Sequence, residues 1–181
     1  MKIQYFGGSS YGVVGKSAKI AMNAVDDGMG KVDVATSSDS SEISVEAKKK
    51  LTLPGEYEIS GVLLRGLHTQ DNSNVVFKCV VDELEVVHFG DIQTMPKVSF
   101  FSELGENVDV ALLILSKNTE LKMLKDLLEK VDPRMVIFGG DKEMFPKAIE
   151  KFNAVVNAES EVTISRSSLP TDTTDYVILS A

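Results

Sequence analysis

Residues 108–115 constrain the fold more than any other stretch. They are apolar at every position except Asp109. A run of eight is too short for a membrane span and suits a strand buried on both faces. Such a strand needs a layer of structure on each side. Residues 120–131 supply one, because Leu121, Leu124, Leu127 and Leu128 fall on one side of an amphipathic helix. Asp132-Pro133 ends it, since proline has no N–H and disfavours a helical residue before it. Residues 135–138 read as a second buried strand and 142–152 as a second helix.

The chain before this unit is built differently. Residues 2–6 alternate polar and apolar, the period of a half-buried strand, and Gly7-Gly8 ends them. Residues 11–14, 18–22 and 32–35 are the next expected strands, the first two joined at Gly15-Lys16. The polar run 36–42 is an expected loop, because Ser, Thr and Asp compete for backbone hydrogen bonds. Residues 53–89 look strand-rich, with 62–64, 75–81 and 84–89 as apolar runs. Turns are expected at 71–74 and at Asp82-Glu83, and closing strands at 162–165 and 176–179. Strands lead and strand–helix units follow, which predicts mixed α and β structure in one domain spanning residues 1–181. Val110, Leu112, Ile114, Leu124, Leu128, Val136 and Ile137 are the expected core.

Composition narrows the function. Acidic residues outnumber basic ones 27 to 19, a net charge of -8. That disfavours nucleic acid or an anionic membrane as the main partner. The single Cys79 excludes an internal disulfide and a multi-cysteine zinc site. Residues 1–5 lack the apolar core of a secretory leader, so a soluble cytoplasmic protein is expected.

Three motifs offer chemistry. Residues 10–17, Ser-Tyr-Gly-Val-Val-Gly-Lys-Ser, approach the phosphate-loop pattern G-x-x-x-x-G-K-S/T. Ser10 replaces its first glycine, and the stiff Val13 and Val14 favour a strand over a cradle of amides. A nucleotide site is therefore a remote alternative to a β-turn at Gly15-Lys16. The two histidines, His68 and His88, each end an expected strand and each precede an aspartate by three residues, Asp71 and Asp91. They could hold a divalent metal if folding gathers them, but surface or packed histidines are commoner. Ser37, Ser38, Ser40 and Ser41 offer hydroxyls without a G-x-S-x-G elbow, and read as a loop or helix cap.

The order of motifs is more telling. Tyr5-Phe6-Gly7-Gly8-Ser9, then residues 54–62 (Pro-Gly-Glu-Tyr-Glu-Ile-Ser-Gly-Val), then His88-Phe89-Gly90-Asp91, resemble landmarks of the small stand-alone metallo-β-lactamase-fold proteins, a group of predicted zinc-dependent hydrolases. The resemblance runs from Met1 to about Phe138, and the nine residues from Pro54 are its most specific piece. It implies a four-layer αββα sandwich whose ligand loops converge at one end. Members of the group carry a Gly-His-Ser opening, an early aspartate, a His-x-His-x-Asp-His loop, a His-Asp step, a bridging aspartate and a late histidine.

The ligand positions depart from that pattern. By the resemblance, Gly8 stands for the opening histidine and Asn23 for the early aspartate. Ser38, Ser40 and Ile43 stand for the loop histidines and Glu42 for its aspartate, while Asp39 fills a non-ligand place. Gln70 replaces the histidine beside a retained Asp71, and Gly140 stands at about the late histidine. Asp91 keeps the bridging role-position. Zinc needs imidazoles and carboxylates at about 2.0–2.2 Å, and serine hydroxyls stay protonated near neutral pH. Without the ion nothing makes bound water a nucleophile.

The resemblance therefore implies a pseudo-hydrolase, a non-catalytic binding or assembly module with no cofactor. Its partner would be a small molecule or a protein, with homo-oligomerisation left open and no nucleic acid or membrane involved. The alternative is a hydrolase with a rearranged zinc, manganese or magnesium site drawn from Asp91, Asp71, Glu42, His68 and His88. The vestigial cleft is expected to be acidic. If Glu42, Asp71 and Asp91 crowd together, at least one carboxyl pKa should rise.

Overall fold

The computed structural model describes residues 1–23, 28–69 and 74–180. In chain order the strands are β1 (Lys2–Gly7), β2 (Ser10–Val14), β3 (Lys19–Met22), β4 (Val32–Thr36), β5 (Ala47–Leu51), β6 (Gly55–Ile59), β7 (Val62–His68), β8 (Val75–Val81), β9 (Leu84–His88), β10 (Val110–Leu115), β11 (Met135–Gly140), β12 (Val155–Asn157), β13 (Glu161–Thr163) and β14 (Asp175–Leu179). Three α-helices intervene: α1 (Val98–Leu104), α2 (Leu121–Val131) and α3 (Phe145–Phe152). One sheet runs β13-β1-β2-β3-β4-β5 and the other β12-β14-β11-β10-β9-β8-β7-β6.

Alternation decides which side chains meet. In β8, Phe77, Cys79 and Val81 face the smaller sheet, where Ile3, Tyr11, Val13, Ile20 and Val34 fill the shared layer. Val76 faces the other way, into a second layer closed by Phe100 of α1, Leu124 and Leu128 of α2, and Ala148 and Phe152 of α3. The seven expected core residues are all buried. All six residues of β10 are buried, as a strand between two layers requires. Asp109 lies just outside it and accepts the Glu85 N–H at 2.9 Å and the Arg134 guanidinium at 3.2 Å.

All three described α-helices cover the larger sheet. Over the smaller sheet, Met29, Ile43 and Val45 form the outer layer on Ala21 and Ala35. The expected two-sheet α/β sandwich is thus present.

Three local expectations change. Residues 10–17 form no phosphate cradle: β2 pairs antiparallel with β3, and the Gly15 N–H closes their turn on the Ala18 carbonyl at 2.9 Å. No helix starts there, which removes the nucleotide reading. The helix expected at 142–152 begins as a 3-10 turn, Lys142–Met144, and becomes α-helical at Phe145, with Pro146 in the first turn where its missing N–H costs nothing. Three elements were not expected: α1, the lysine-rich β5 and the three-residue β12.

β9, β10 and β11 run parallel. Their carboxyl ends deliver Asp91, Ser116 and Asp141 to one end of the sandwich. The β1–β2 turn and the ends of β3 and β4 reach the same end from the smaller sheet.

Candidate functional site at the carboxyl ends of the parallel strands

Tyr5 organises one side of this end. Its hydroxyl donates to the Gly8 carbonyl at 3.0 Å and accepts the Gly140 N–H at 2.6 Å. One phenol thereby joins the two sheets between Gly8 and Gly140, which the resemblance aligns with the opening and late histidines. Burial pushes the phenol above its ordinary pKa; the Gly140 N–H opposes this and the charge of Asp141 adds to it. The fit is tight. A Cβ at Gly139 would stand 2.4 Å from the Tyr5 ring, and one at Gly140 (φ 112°) would stand 2.3 Å from the Leu115 carbonyl oxygen.

Asn23 organises the other side. It takes the left-handed conformation, φ 50°, which asparagine tolerates. Its side-chain oxygen accepts the Ser38 N–H at 2.7 Å, and its carbonyl accepts the Ser10 hydroxyl at 2.8 Å. The Ser38 carbonyl then accepts the Val75 N–H at 2.7 Å, a second tie to the larger sheet.

Ser38 and His88 meet in the buried layer. Ser38 Oγ lies 3.4 Å from His88 Nδ1, and the imidazole stands edge-on to the Tyr11 ring, 5.7 Å between centroids. Burial pushes the His88 pKa down to about 4, so the ring is neutral near pH 7. The Ser9 backbone opposes that shift in part, although its geometry does not make it a hydrogen-bond partner of Nε2. Among the described residues, Nε2 and Thr36 Oγ1 are buried polar atoms without a hydrogen-bond partner.

The carboxylates behave otherwise. Asp39, Ser40, Glu42 and Asp91 are exposed. The hydroxyl and N–H of Ser41, with the Ser37 hydroxyl, hold the Asp39 carboxyl below its ordinary range; burial opposes them. Asp91 accepts a hydrogen bond from the Gln93 amide, which also donates to Ser116 Oγ at 3.1 Å. His68 ends β7 exposed. Ile43 is buried in the outer layer with Met29 and Val45, turned away from the shared core. Gln70 and Asp71 lie outside the described residues.

The structure thus brings together Gly8 with Gly140 and Asn23 with Ser38 and His88. It leaves Asp39, Ser40, Glu42 and His68 at the surface. Among the described residues no three of His, Cys, Asp and Glu gather closely enough to hold a metal. They do not fit the zinc site that the resemblance implies. Sequence reading missed Tyr5 and Tyr11; their only signal was that two tyrosines flank a glycine turn on paired strands.

Two stacked mixed sheets, helices on an outer face and loops gathered at one end define an α/β sandwich of the metallo-β-lactamase class. A family model described as a β-lactamase superfamily domain matches residues 2–138. The chain belongs to that family. Among solved structures it is similar to a Thermotoga maritima protein assigned as a Zn-dependent hydrolase of the metallo-β-lactamase superfamily, with TM-score 0.84 and 20% identity over 98% of this chain and 97% of that one. It is also similar to Igni18, a metallo hydrolase from Ignicoccus hospitalis, with TM-score 0.63 and 16% identity over 91% and 99%. A third is YhfI of Bacillus subtilis, a metallo-β-lactamase fold protein, with TM-score 0.65 and 8% identity over 99% and 96%. At these identities the likeness establishes the fold. No curated protein sequence matches the chain. No described helix is long and apolar enough to cross a membrane.

Proposed function

We propose that this chain is a pseudo-hydrolase, a non-catalytic member of its family that serves as a binding or assembly module. One observation carries the reading. At the end where the family's imidazoles would converge, hydrogen bonds close the gap instead. The Tyr5 phenol spans Gly8 and Gly140, and Ser38 faces a desolvated, neutral His88. Neither a phenol above its ordinary pKa nor a serine whose imidazole partner is held to a pKa of about 4, and is therefore a weak base, supplies a strong nucleophile near pH 7. Metal-bound hydroxide, the family's route, needs ligands that these positions lack.

The second reading is a metal-dependent hydrolase with a rearranged site. It is favoured by the exposed Asp91 beside Gln93 and Ser116, and by the hydrolase assignments of the Thermotoga and Ignicoccus proteins.

Elemental analysis after purification without chelators separates the two. Melts with added zinc, manganese or magnesium and assays on phosphodiester, ester and lactone substrates complete the test. The pseudo-hydrolase reading expects substoichiometric metal, no shift in Tm and no metal-dependent turnover. A tightly held ion that Asp91→Ala removes together with activity would overturn it.

A further inference from the structure

The two sheets end in four edge strands among the described residues: β13 and β5 on one, β12 and β6 on the other. An edge strand presents unpaired N–H and C=O groups, and folded proteins guard such edges with charge. Three of the four follow that rule. β5 carries Lys48, Lys49 and Lys50, all exposed. β6 carries Glu56 and Glu58, both exposed. β13 carries Glu161, ion-paired with Lys2 at 3.0 Å.

β12 breaks it. Its sequence is Val155-Val156-Asn157, and no charge falls between Asn153 and Ala158. Val155 is 67% exposed and Val156 50%. Ile149, on α3 just before the strand, is also exposed, so among the described residues three of the seven exposed large apolar side chains lie within eight residues of sequence. Scattered exposed apolar residues need no explanation, but a cluster on an unguarded edge does.

We propose that β12 pairs antiparallel with β12 of a second copy, joining two eight-stranded sheets across a two-fold axis. The chemistry of the edge calls for another strand, because only a strand matches its row of donors and acceptors. A second copy fits because the patch is self-complementary. An axis through Val156 sets Val156 against its own counterpart and Val155 against Asn157 of the partner copy, with no like charges opposed. The α3 surface beside it exposes Lys147, Glu150 and Lys151, so both signs are present for pairing across the axis. The association uses no residue of the candidate site and holds whether or not that site binds metal.

Sedimentation of the full chain, with an engineered thiol, is the test. The wild-type chain should sediment as a dimer. Val156→Lys places two ammonium groups face to face and should weaken association more than about tenfold. At concentrations low enough for both chains to be monomeric, its Tm should match the wild type, since the side chain is half exposed. Val98→Lys, at a residue 79% exposed on α1, should leave the dimer intact. In Val156→Cys the paired Cα atoms would sit about 4.5–5.5 Å apart, within disulfide range, and mild oxidation should link the copies. Background is low because Cys79, the only native thiol, is buried and its pKa is pushed up to about 12. A wild-type monomer at the highest attainable concentration would overturn the proposal. So would a dimer that survives Val156→Lys while Val156→Cys fails to cross-link.

Discussion

The hairpin at residues 54–62 and the candidate site match the family pattern to very different degrees. The hairpin keeps its pattern almost unbroken, and its residues hold backbone in place. The Tyr57 hydroxyl donates to the Leu53 carbonyl at 3.0 Å. Ser60 (φ 52°) and Gly61 (φ 76°) make the two-residue turn between β6 and β7. The Ser60 hydroxyl reaches Asp33 of the smaller sheet at 3.0 Å, and Lys48 pairs with the same carboxylate at 2.6 Å. At the candidate site the side chains depart from the pattern that the resemblance implies, yet the loops still converge. The difference separates two jobs. Strands and turns depend on contacts near the backbone, whereas metal chemistry depends on a few side-chain tips. Those tips can be exchanged once other hydrogen bonds close the gap.

The comparison is broken most severely at Gly140. Gly140→Ala adds a methyl 2.3 Å from a backbone oxygen at a φ that side chains rarely adopt. A loss of about 4 kcal/mol is expected in urea unfolding. A loss below about 1 kcal/mol would show that the site end is not tightly closed.

His88 gives the next largest effect, and it depends on pH. The folded-state pKa, about 4, lies below the unfolded value of 6.5. The unfolded chain therefore binds the extra proton first. Stability is full above pH 6.5 and falls as the pH drops toward 4, by roughly 3 kcal/mol from this group. The carboxylates held low, such as Asp39, lose their contribution at lower pH still. Comparing wild type with His88→Gln in denaturant titrations from pH 8 to pH 4 isolates the histidine. The variant should show the shallower decline.

Tyr5→Phe removes the bridge between the sheets and leaves the Gly140 N–H without its partner. A cost of about 2 kcal/mol is expected, with faster amide exchange at Gly140 by NMR. Unchanged exchange there would mean that the phenol does not hold the two loops together. Ser60→Ala should be the mildest, about 0.5 kcal/mol, because its bond to Asp33 is exposed. Equal costs at Tyr5 and Ser60 would erase the distinction between the two regions.

Periodicity made the buried elements legible. β8 runs Val75–Val81 as expected, and the α2 face was placed correctly because leucines at helical spacing must bury somewhere. β5 was hidden because three lysines in succession read as solvated chain. An edge strand needs only backbone pairing, which β4 provides. β12 was too short to show a period. In the candidate site, the positions came from the resemblance's motif order, but their partners did not. Tyr5 and Gly140 are 135 residues apart, and Ser38 and His88 are 50 apart. Local pattern carries no information about such pairs. The low Asp39 pKa has a local cause that sequence reading did not draw: Ser37 and Ser41, each two residues away, satisfy its carboxylate.

The strand order also sets a schedule for folding. β12 has one neighbour, β14, and β14 lies between β12 and β11. The smaller sheet waits as well, because β13 pairs with β1 across almost the whole chain. Pairings of such long sequence separation make folding slow. On a ribosome, β12 has no sheet to join until residues 175–179 have emerged. The unguarded edge is therefore created last, when β14 joins β11 and receives β12. A nascent chain has no such edge to offer its neighbours until then, so self-association through β12 would begin only after residues 175–179 have emerged.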